Sequence, residues 1–178
     1  MTLKVVITGG PGTGKTSVIN FLSKKYFVFK ESAREVLTKN KLFKGKDAEH
    51  ARGKELQEAI WDLELKHYKK SLSLKKKVVF FDRGFIDGLA YCRTFKIPFS
   101  KERLKQAKEI SYDYVFILDP LPKKLYENDT KRSETYKESL RIHKIIYNTY
   151  KKYGYRLIRV PFDTVENRAN FVLKKLKL

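Results

Sequence analysis

Apolar residues occur along the chain in two kinds of run, and each kind predicts a different element. Continuous apolar or β-branched runs bounded by turn residues predict short buried strands. The predicted strands span Leu3 to Thr8, Tyr26 to Phe29, Val78 to Asp82, Tyr114 to Leu118 and Tyr155 to Val160. Between them apolar residues recur near the helical period, most clearly from about Ala48 to Leu74. Strands that alternate with helices and are apolar throughout indicate an α/β fold, with a parallel sheet covered on both faces.

Helix caps and loops complete this outline. Two capping boxes are predicted, Thr135 with Glu138 and Asp163 with Glu166, because a short polar side chain followed three residues later by Glu marks a helix start. A segment at about 120–134 begins with two prolines and ends with Lys131 and Arg132. We expect it to be a lid that brings cations over a bound phosphate.

Composition and charge narrow the class of protein. A chain of 178 residues suits one domain, so we expect residues 1–178 to form a single unit. The single cysteine, Cys92, excludes an internal disulfide and favours a reducing compartment, the cytoplasm. No apolar run approaches the roughly 20 residues of a membrane helix. The net charge of +20 would attract RNA, DNA or acidic lipid, although scattered lysines on solvated helix faces explain it as well.

A glycine-rich segment directly follows the first predicted strand. Residues 9–16 fit the phosphate-loop pattern G-x-x-x-x-G-K-[ST], with a helix-forming sequence after it. Glycines let successive backbone N–H groups curl around a phosphate, and the helix start adds its positive end. We expect Lys15 to reach the β- and γ-phosphates and the Thr16 hydroxyl to bind Mg²⁺. The predicted nucleotide-binding residues are Gly9, Gly10, Pro11, Gly12, Thr13, Gly14, Lys15, Thr16 and Ser17.

Charged side chains follow the second and third predicted strands, at the sheet edge where ligands of α/β folds bind. Asp82 ends an apolar strand and is a candidate to hold Mg²⁺ or its waters. Arg83 is a candidate to contact a phosphate or the substrate. Glu31 either accepts a proton from an acceptor hydroxyl or only begins a helix. On the long helix, Gln57 and Trp61 lie one turn apart and are candidates to line an acceptor pocket, although packing of Trp61 against the sheet is the favoured interpretation.

Taken together, these motifs resemble the P-loop nucleoside- and nucleotide-kinase group. Within that group the chain is similar to a small AAA-type NTPase/kinase-like family, which includes ribosylnicotinamide-kinase-like domains and the TRPL-translocation-defect protein. The resemblance rests on residues 7–16, 31–36, 81–84 with Asp87 and Tyr91, and 132–135. It implies a three-layer P-loop NTPase fold with a five-stranded parallel sheet, and we expect the strand order 2-3-1-4-5.

The resemblance also implies a reaction, the transfer of the γ-phosphoryl group of Mg-ATP to a nucleoside or nucleotide-like acceptor. The predicted catalytic residues are Lys15, Asp82, Arg83, Glu31 and Arg132. Asp82 and Thr16 are expected on the magnesium, and either Glu31 or Asp82 acts as the base. The guanine-reading motif Asn-Lys-x-Asp is absent from the sequence, which leaves the choice of base open. ATP is the expected nucleotide and GTP stays an alternative. Two other functions stay open, a nucleotide-dependent regulatory protein that binds acidic lipid or a protein partner, and a polynucleotide kinase or RNA-associated ATPase.

Overall fold

Five parallel strands form one sheet in the order β2-β3-β1-β4-β5, which confirms the predicted order. The computed structural model describes residues 2–39, 53–127 and 134–178. The strands are β1 (Leu3–Thr8), β2 (Phe27–Phe29), β3 (Val78–Asp82), β4 (Tyr114–Leu118) and β5 (Leu157–Val160). Strands β2 and β5 begin one and two residues later than the apolar runs predicted. The tyrosines that precede them pack instead, Tyr26 against the edge of the Phe80 ring and Tyr155 against Tyr150.

Helices connect the strands and cover the sheet. The described helices are α1 (Lys15–Leu22), α2 (Ser32–Lys39), α3 (Lys54–Ser73), α4 (Phe85–Phe95), α5 (Lys101–Glu109), α6 (Lys123–Glu127), α7 (Tyr136–Lys152) and α8 (Val165–Lys175). None of these described helices is long and apolar enough to cross a bilayer.

Two apolar cores lie on opposite faces of the sheet because successive strand residues point to opposite sides. Val5 and Ile7 of β1 join the core under α1 and α8, whereas Val6 joins the core under α3, α4 and α7. All three valine and isoleucine side chains are fully buried. This two-sided burial explains why the strands are continuous apolar runs, and it confirms the three-layer α/β fold.

Of the two predicted capping boxes, one is confirmed and the other is wrong. The capping box of Thr135 and Glu138 begins α7 as expected. The box of Asp163 and Glu166 was wrong, because Thr164 is the N-cap and accepts from the backbone N–H of Asn167. Both Asp163 and Thr164 are good cap residues, and the sequence pattern does not choose between neighbours.

Two predicted segments, the start of the long helix and the lid, reach beyond the described residues. The described part of the long helix begins at Lys54, so the start expected near Ala48 lies outside these ranges. In the segment at 120–134, residues 123–127 form helix α6. Residues 128–133, and Arg132 with them, lie outside the described residues, so the lid stays a prediction.

Candidate active site

The segment between β1 and α1 has the backbone of a phosphate loop. Gly14, directly before α1, has a φ of 79°, a left-handed conformation that favours glycine. At Gly10 a Cβ atom would lie 2.8 Å from the carbonyl oxygen of Ser139, so a larger residue would push the loop away from α7. The loop is therefore shaped by the glycines that the motif requires.

Lys15, the first residue of α1, lies folded back over this loop. Its ammonium donates to the carbonyl oxygen of Gly10 at 2.7 Å and lies 3.3 Å from the hydroxyl of Thr13. Burial and the nearby Arg83 guanidinium lower the pKa of Lys15 to about 7, against partial compensation from Asp82. A triphosphate would supply the negative charge that this buried ammonium needs.

Two residues that sequence reasoning did not single out for the site hold the loop from outside. Arg168 of α8 donates to the carbonyl oxygens of Thr13 at 2.7 Å and of Asp119 at 3.0 Å. On the other side, the N–H of Gly10 donates to Nδ1 of His143 at 3.3 Å. Burial lowers the pKa of His143 to about 4, so its ring is neutral near pH 7 and Nδ1 can accept.

One cavity, of about 390 Å³, lies between α1 and α2 and reaches Lys39 at the end of α2. Its wall includes the exposed Thr16 and the buried Asp82, the two residues that the sequence analysis expects on magnesium. Burial, followed by the Glu31 carboxylate, raises the pKa of Asp82 to about 6. A bound divalent cation would relieve this cost of holding a carboxylate here.

The donor set is suited to magnesium rather than to a metal held by protein alone. Within the described ranges, no three His, Cys, Asp or Glu side chains gather as a metal site. Mg²⁺ in phosphoryl-transfer sites is held by one or two protein oxygens, with phosphates and water as its other ligands. Thr16 and Asp82 fit that pattern.

Arg83 connects the loop to the rest of the site. Its guanidinium donates to a Glu31 carboxylate oxygen at 3.0 Å and to the carbonyl oxygen of Gly9 at 3.1 Å, and it lies 5.1 Å from the centre of the Tyr91 ring. Arg83 has a φ of 69°, a strained conformation for a residue with a Cβ. Burial opposes its charge, but Tyr91, Glu31 and Asp87 outweigh burial, so its pKa is raised and it stays cationic.

A second cavity, of about 230 Å³, lies between α2, α3 and α4. Arg83 and Tyr91 form part of its wall, together with apolar side chains such as Leu56 and Ile60. Glu31 lines this cavity as well as the first one. Burial alone would raise the pKa of Glu31, but Arg83 and then Lys15 lower it, so Glu31 is ionised at neutral pH.

Asp87 anchors the inner wall of the second cavity. Its carboxylate accepts from the Thr8 hydroxyl at the end of β1, from the Gly84 N–H at 2.9 Å, and from the Tyr150 hydroxyl at 2.6 Å. These bonds tie β1, α4 and α7 to one buried group.

The predicted site residues do not all lie together. Lys15, Asp82, Arg83 and Glu31 come together between the two cavities, as the hydrogen bonds and electrostatic contacts of Arg83 and Lys15 record. Thr16 and Ser17 are exposed in the first turn of α1, and Arg132 lies outside the described residues. Trp61 is fully buried and donates to the carbonyl oxygen of Phe85, so it packs in the core, whereas Gln57 lines the second cavity.

The fold and the loop define the class of the protein, a P-loop NTPase fold of the kinase type. The pattern of an AAA domain family (AAA_28) matches residues 4–168, and the chain belongs to this family. No curated protein sequence matches the chain significantly.

Several solved structures share the fold at low sequence identity. Deoxyadenosine kinase from M. mycoides with bound dATP has a TM-score of 0.68 and 19% identity over 99% of this chain and 100% of that one. Thymidylate kinase from Ehrlichia chaffeensis has a TM-score of 0.63 and 18% identity over 98% of each chain. NadR protein in complex with NR has a TM-score of 0.73 and 16% identity over 99% of this chain, which spans 52% of that one. At these identities the likeness establishes the fold.

Proposed function

We propose that the protein is a kinase that transfers the γ-phosphoryl group of Mg-ATP to the hydroxyl group of a nucleoside or nucleotide-like acceptor. The observation that carries the proposal is the position of Glu31, whose side chain lines both cavities and pairs with Arg83. One cavity adjoins the phosphate loop and serves the donor. The other, with its apolar wall, serves the acceptor.

On the donor side, the loop amides and Lys15 bind the β- and γ-phosphates. Lys15 would exchange its contact with the Gly10 carbonyl oxygen for phosphate oxygens, which offer it full negative charge. Thr16 and Asp82 would hold Mg²⁺, which when bound neutralises charge on the phosphate oxygens. Arg168 and His143 keep the loop in shape while these contacts form.

On the acceptor side, Glu31 orients the attacking hydroxyl and accepts its proton. The hydroxyl oxygen bonds to the γ-phosphorus, the bond from that phosphorus to the β–γ bridging oxygen breaks, and ADP leaves. Glu31 suits this role better than Asp82 because it lines the acceptor cavity, which Asp82 does not, and its lowered pKa keeps it ionised and ready to accept a proton. Arg83 holds Glu31 in place and supplies positive charge beside the transferred group.

The apolar acceptor cavity favours transfer over hydrolysis, because a site built only to activate water needs no such pocket. The nucleotide-dependent regulatory protein and the polynucleotide kinase stay alternatives without a specific observation in their favour. No described residue is identified as a contact of the purine base. ATP is therefore proposed as the donor because it is the nucleotide that the sequence analysis expects.

A phosphoryl-transfer assay on the wild-type protein and on a variant without the Lys15 ammonium tests the proposal. Wild-type protein with Mg-ATP and a panel of nucleosides and nucleoside monophosphates should release ADP in step with phosphorylated acceptor. Lys15→Ala should lower the rate by at least about a hundredfold, the scale of removing one transition-state charge contact. Lys25→Ala, at an exposed lysine near the end of α1, is the matched control. ADP release without any phosphorylated acceptor, or an active Lys15→Ala variant, would overturn the proposal.

A further inference from the structure

The acceptor cavity differs in charge from the rest of the chain. The protein as a whole carries +20, yet the described residues that line this cavity include four carboxyl groups and one guanidinium. The carboxyl groups belong to Glu31, Glu64, Asp87 and Glu134, and the guanidinium to Arg83. Arg83 already binds Glu31 at 3.0 Å and lies 3.5 Å from Asp87. Its charge is therefore matched before any ligand enters.

Two buried polar groups in the same wall stay without a hydrogen bond to any described residue. They are the amide nitrogen Nε2 of Gln57 and the carboxyl oxygen Oε2 of Glu64. Each of these side chains is 7% exposed, and both line the cavity from α3. A buried polar atom without a partner is costly, which points to a ligand that supplies the missing bonds.

We propose that this cavity selects an acceptor without a phosphate group, an uncharged nucleoside-like compound whose ring accepts hydrogen bonds from Gln57 and Glu64. The inference rests on the proposed function and narrows it, from nucleoside or nucleotide-like acceptors to unphosphorylated ones. A monophosphate would bring about two negative charges beside the acidic side chains of this otherwise apolar wall, whose guanidinium is already paired. Like charges in a buried site oppose binding.

The protonation of Glu64 fits this recognition. Burial, and then the Asp87 carboxylate, raise the pKa of Glu64 well above its ordinary value, and Glu31 adds to the effect. Arg83 acts in the opposite direction on Glu64, and Glu64 in turn helps to raise the pKa of the nearby Tyr112 hydroxyl. A raised pKa favours the protonated form of Glu64, which can donate a hydrogen bond to a ligand, as the unpaired amide nitrogen of Gln57 can.

Calorimetric titration tests the proposal by binding rather than by turnover. The probes are the four common deoxyribonucleosides and their 5′-monophosphates, added to the full chain with a non-hydrolysable ATP analogue and Mg²⁺. We expect at least one nucleoside to bind and its monophosphate to bind at least about tenfold more weakly, the scale of one unfavourable charge contact. A monophosphate that binds as tightly as its nucleoside, or a panel without any binding, would overturn the inference.

Substitutions at Glu64 separate recognition from packing. Glu64→Gln keeps a neutral donor of the same shape, so it should bind the nucleoside within about threefold of wild type at pH 7, whereas Glu64→Ala should lose about tenfold, the scale of one net hydrogen bond. As pH rises and Glu64 loses its proton, the nucleoside affinity of the wild-type protein should fall more than that of Glu64→Gln. Lys15 and Asp82 titrate in both proteins, so the difference between the two reports Glu64. Glu166→Gln, at an exposed glutamate of α8, is the matched control. Equal affinities for wild type and Glu64→Ala would contradict the role of Glu64.

The two hypotheses fail in different ways. Phosphoryl transfer to monophosphates, with nucleosides left unused, would leave the kinase assignment standing and remove this inference. Nucleoside binding with the expected dependence on Glu64, but without transfer from ATP or GTP, would remove the kinase assignment and leave this inference standing.

Discussion

The phosphate loop and the acceptor cavity satisfy their polar groups in opposite ways. In the loop, Lys15 bonds to the carbonyl oxygen of Gly10 and Arg168 bonds to that of Thr13, so both charges have partners, and only Nε of Arg168 lacks a hydrogen bond among the described residues. In the cavity, Gln57 and Glu64 each keep a buried polar atom that no described side chain or backbone group pairs with. The loop is built to exchange one set of contacts for another, whereas the cavity is incomplete until a ligand enters.

This contrast has a consequence for specificity. Loop amides and a lysine bind any triphosphate tail, because they read charge and the shape of phosphate. A buried pair with fixed donors rejects compounds that leave it unpaired, often by a larger factor than an apolar pocket can. We therefore expect the donor to be chosen loosely and the acceptor strictly.

The largest expected effect comes from the residue that both cavities share. Glu31→Gln keeps the shape of the side chain but removes the proton acceptor, so kcat should fall by about 10²–10⁴-fold, the range of general base catalysis. Binding of Mg-ATP should change little, which calorimetry can measure on the same sample. A kcat within tenfold of wild type would assign the base to another group, with Asp82→Asn as the next variant to measure.

The loop can be tested through pH. Because the pKa of Lys15 is lowered to about 7, raising the pH above 7 leaves the free protein with a neutral amine that must gain a proton when a triphosphate binds. Affinity for Mg-ATP should then fall by up to about tenfold per pH unit. Lys15→Arg keeps its charge and should flatten this dependence. A wild-type affinity that is constant between pH 7 and pH 9 would contradict the lowered pKa.

The outer support of the loop gives a smaller effect. Arg168→Met removes hydrogen bonds to the carbonyl oxygens of Thr13 and Asp119. We expect the free energy of unfolding to fall by about 2 kcal/mol, the scale of hydrogen bonds made by a charged group, and Mg-ATP binding to weaken as the loop loosens. Chemical denaturation and calorimetry report the two effects separately. Nucleoside affinity of the acceptor cavity should stay near the wild-type value. An equal loss of nucleoside affinity would mean that the phosphate loop and the acceptor cavity are not independent.

The smallest expected effect comes from the N-cap of α7, which lies outside the phosphate loop and the acceptor cavity. Thr135→Ala removes the side chain that accepts from the Glu138 N–H at the start of α7. Stability should fall by about 1 kcal/mol, the usual value of an N-cap, while binding of donor and acceptor is unchanged. Denaturant unfolding measures the first and titration the second.

The sequence predicted the parts of the site that are contiguous. The phosphate loop is one segment, and its glycines, Lys15 and Thr16 have fixed spacing. Asp82 ends a strand with a clear apolar run, and Arg83 follows it directly. Parallel strands bring their carboxyl ends to one edge of the sheet. The strand order followed from the resemblance to P-loop kinases, since an apolar run does not state its neighbours.

The parts assembled from distant elements were harder to predict. A carboxylate on an amphipathic helix normally faces water, so Glu64 gave no signal by its residue type. Its position one turn after Ile60, on the apolar side of the helix, was a usable signal. Arg168 gave the same kind of signal, four residues before the buried Val172 of α8. Neither position shows what the side chain contacts, because the groups around it, such as Thr13 and Asp119 for Arg168 and Asp87 for Glu64, belong to other elements of the fold.

The Asp87 carboxylate has a mechanical consequence. By accepting from Thr8, Gly84 and Tyr150, it fastens β1, α4 and α7 into one frame that also supports the phosphate loop. On the opposite side of the cavity, α2 and α3 pack on each other through a small separate cluster around Val36 and Leu56. Because Trp61 also fastens α3 to Phe85 of α4, any opening of the cavity that admits an acceptor costs least if α2 moves, while the frame that aligns Glu31's partner Arg83 with the loop stays still.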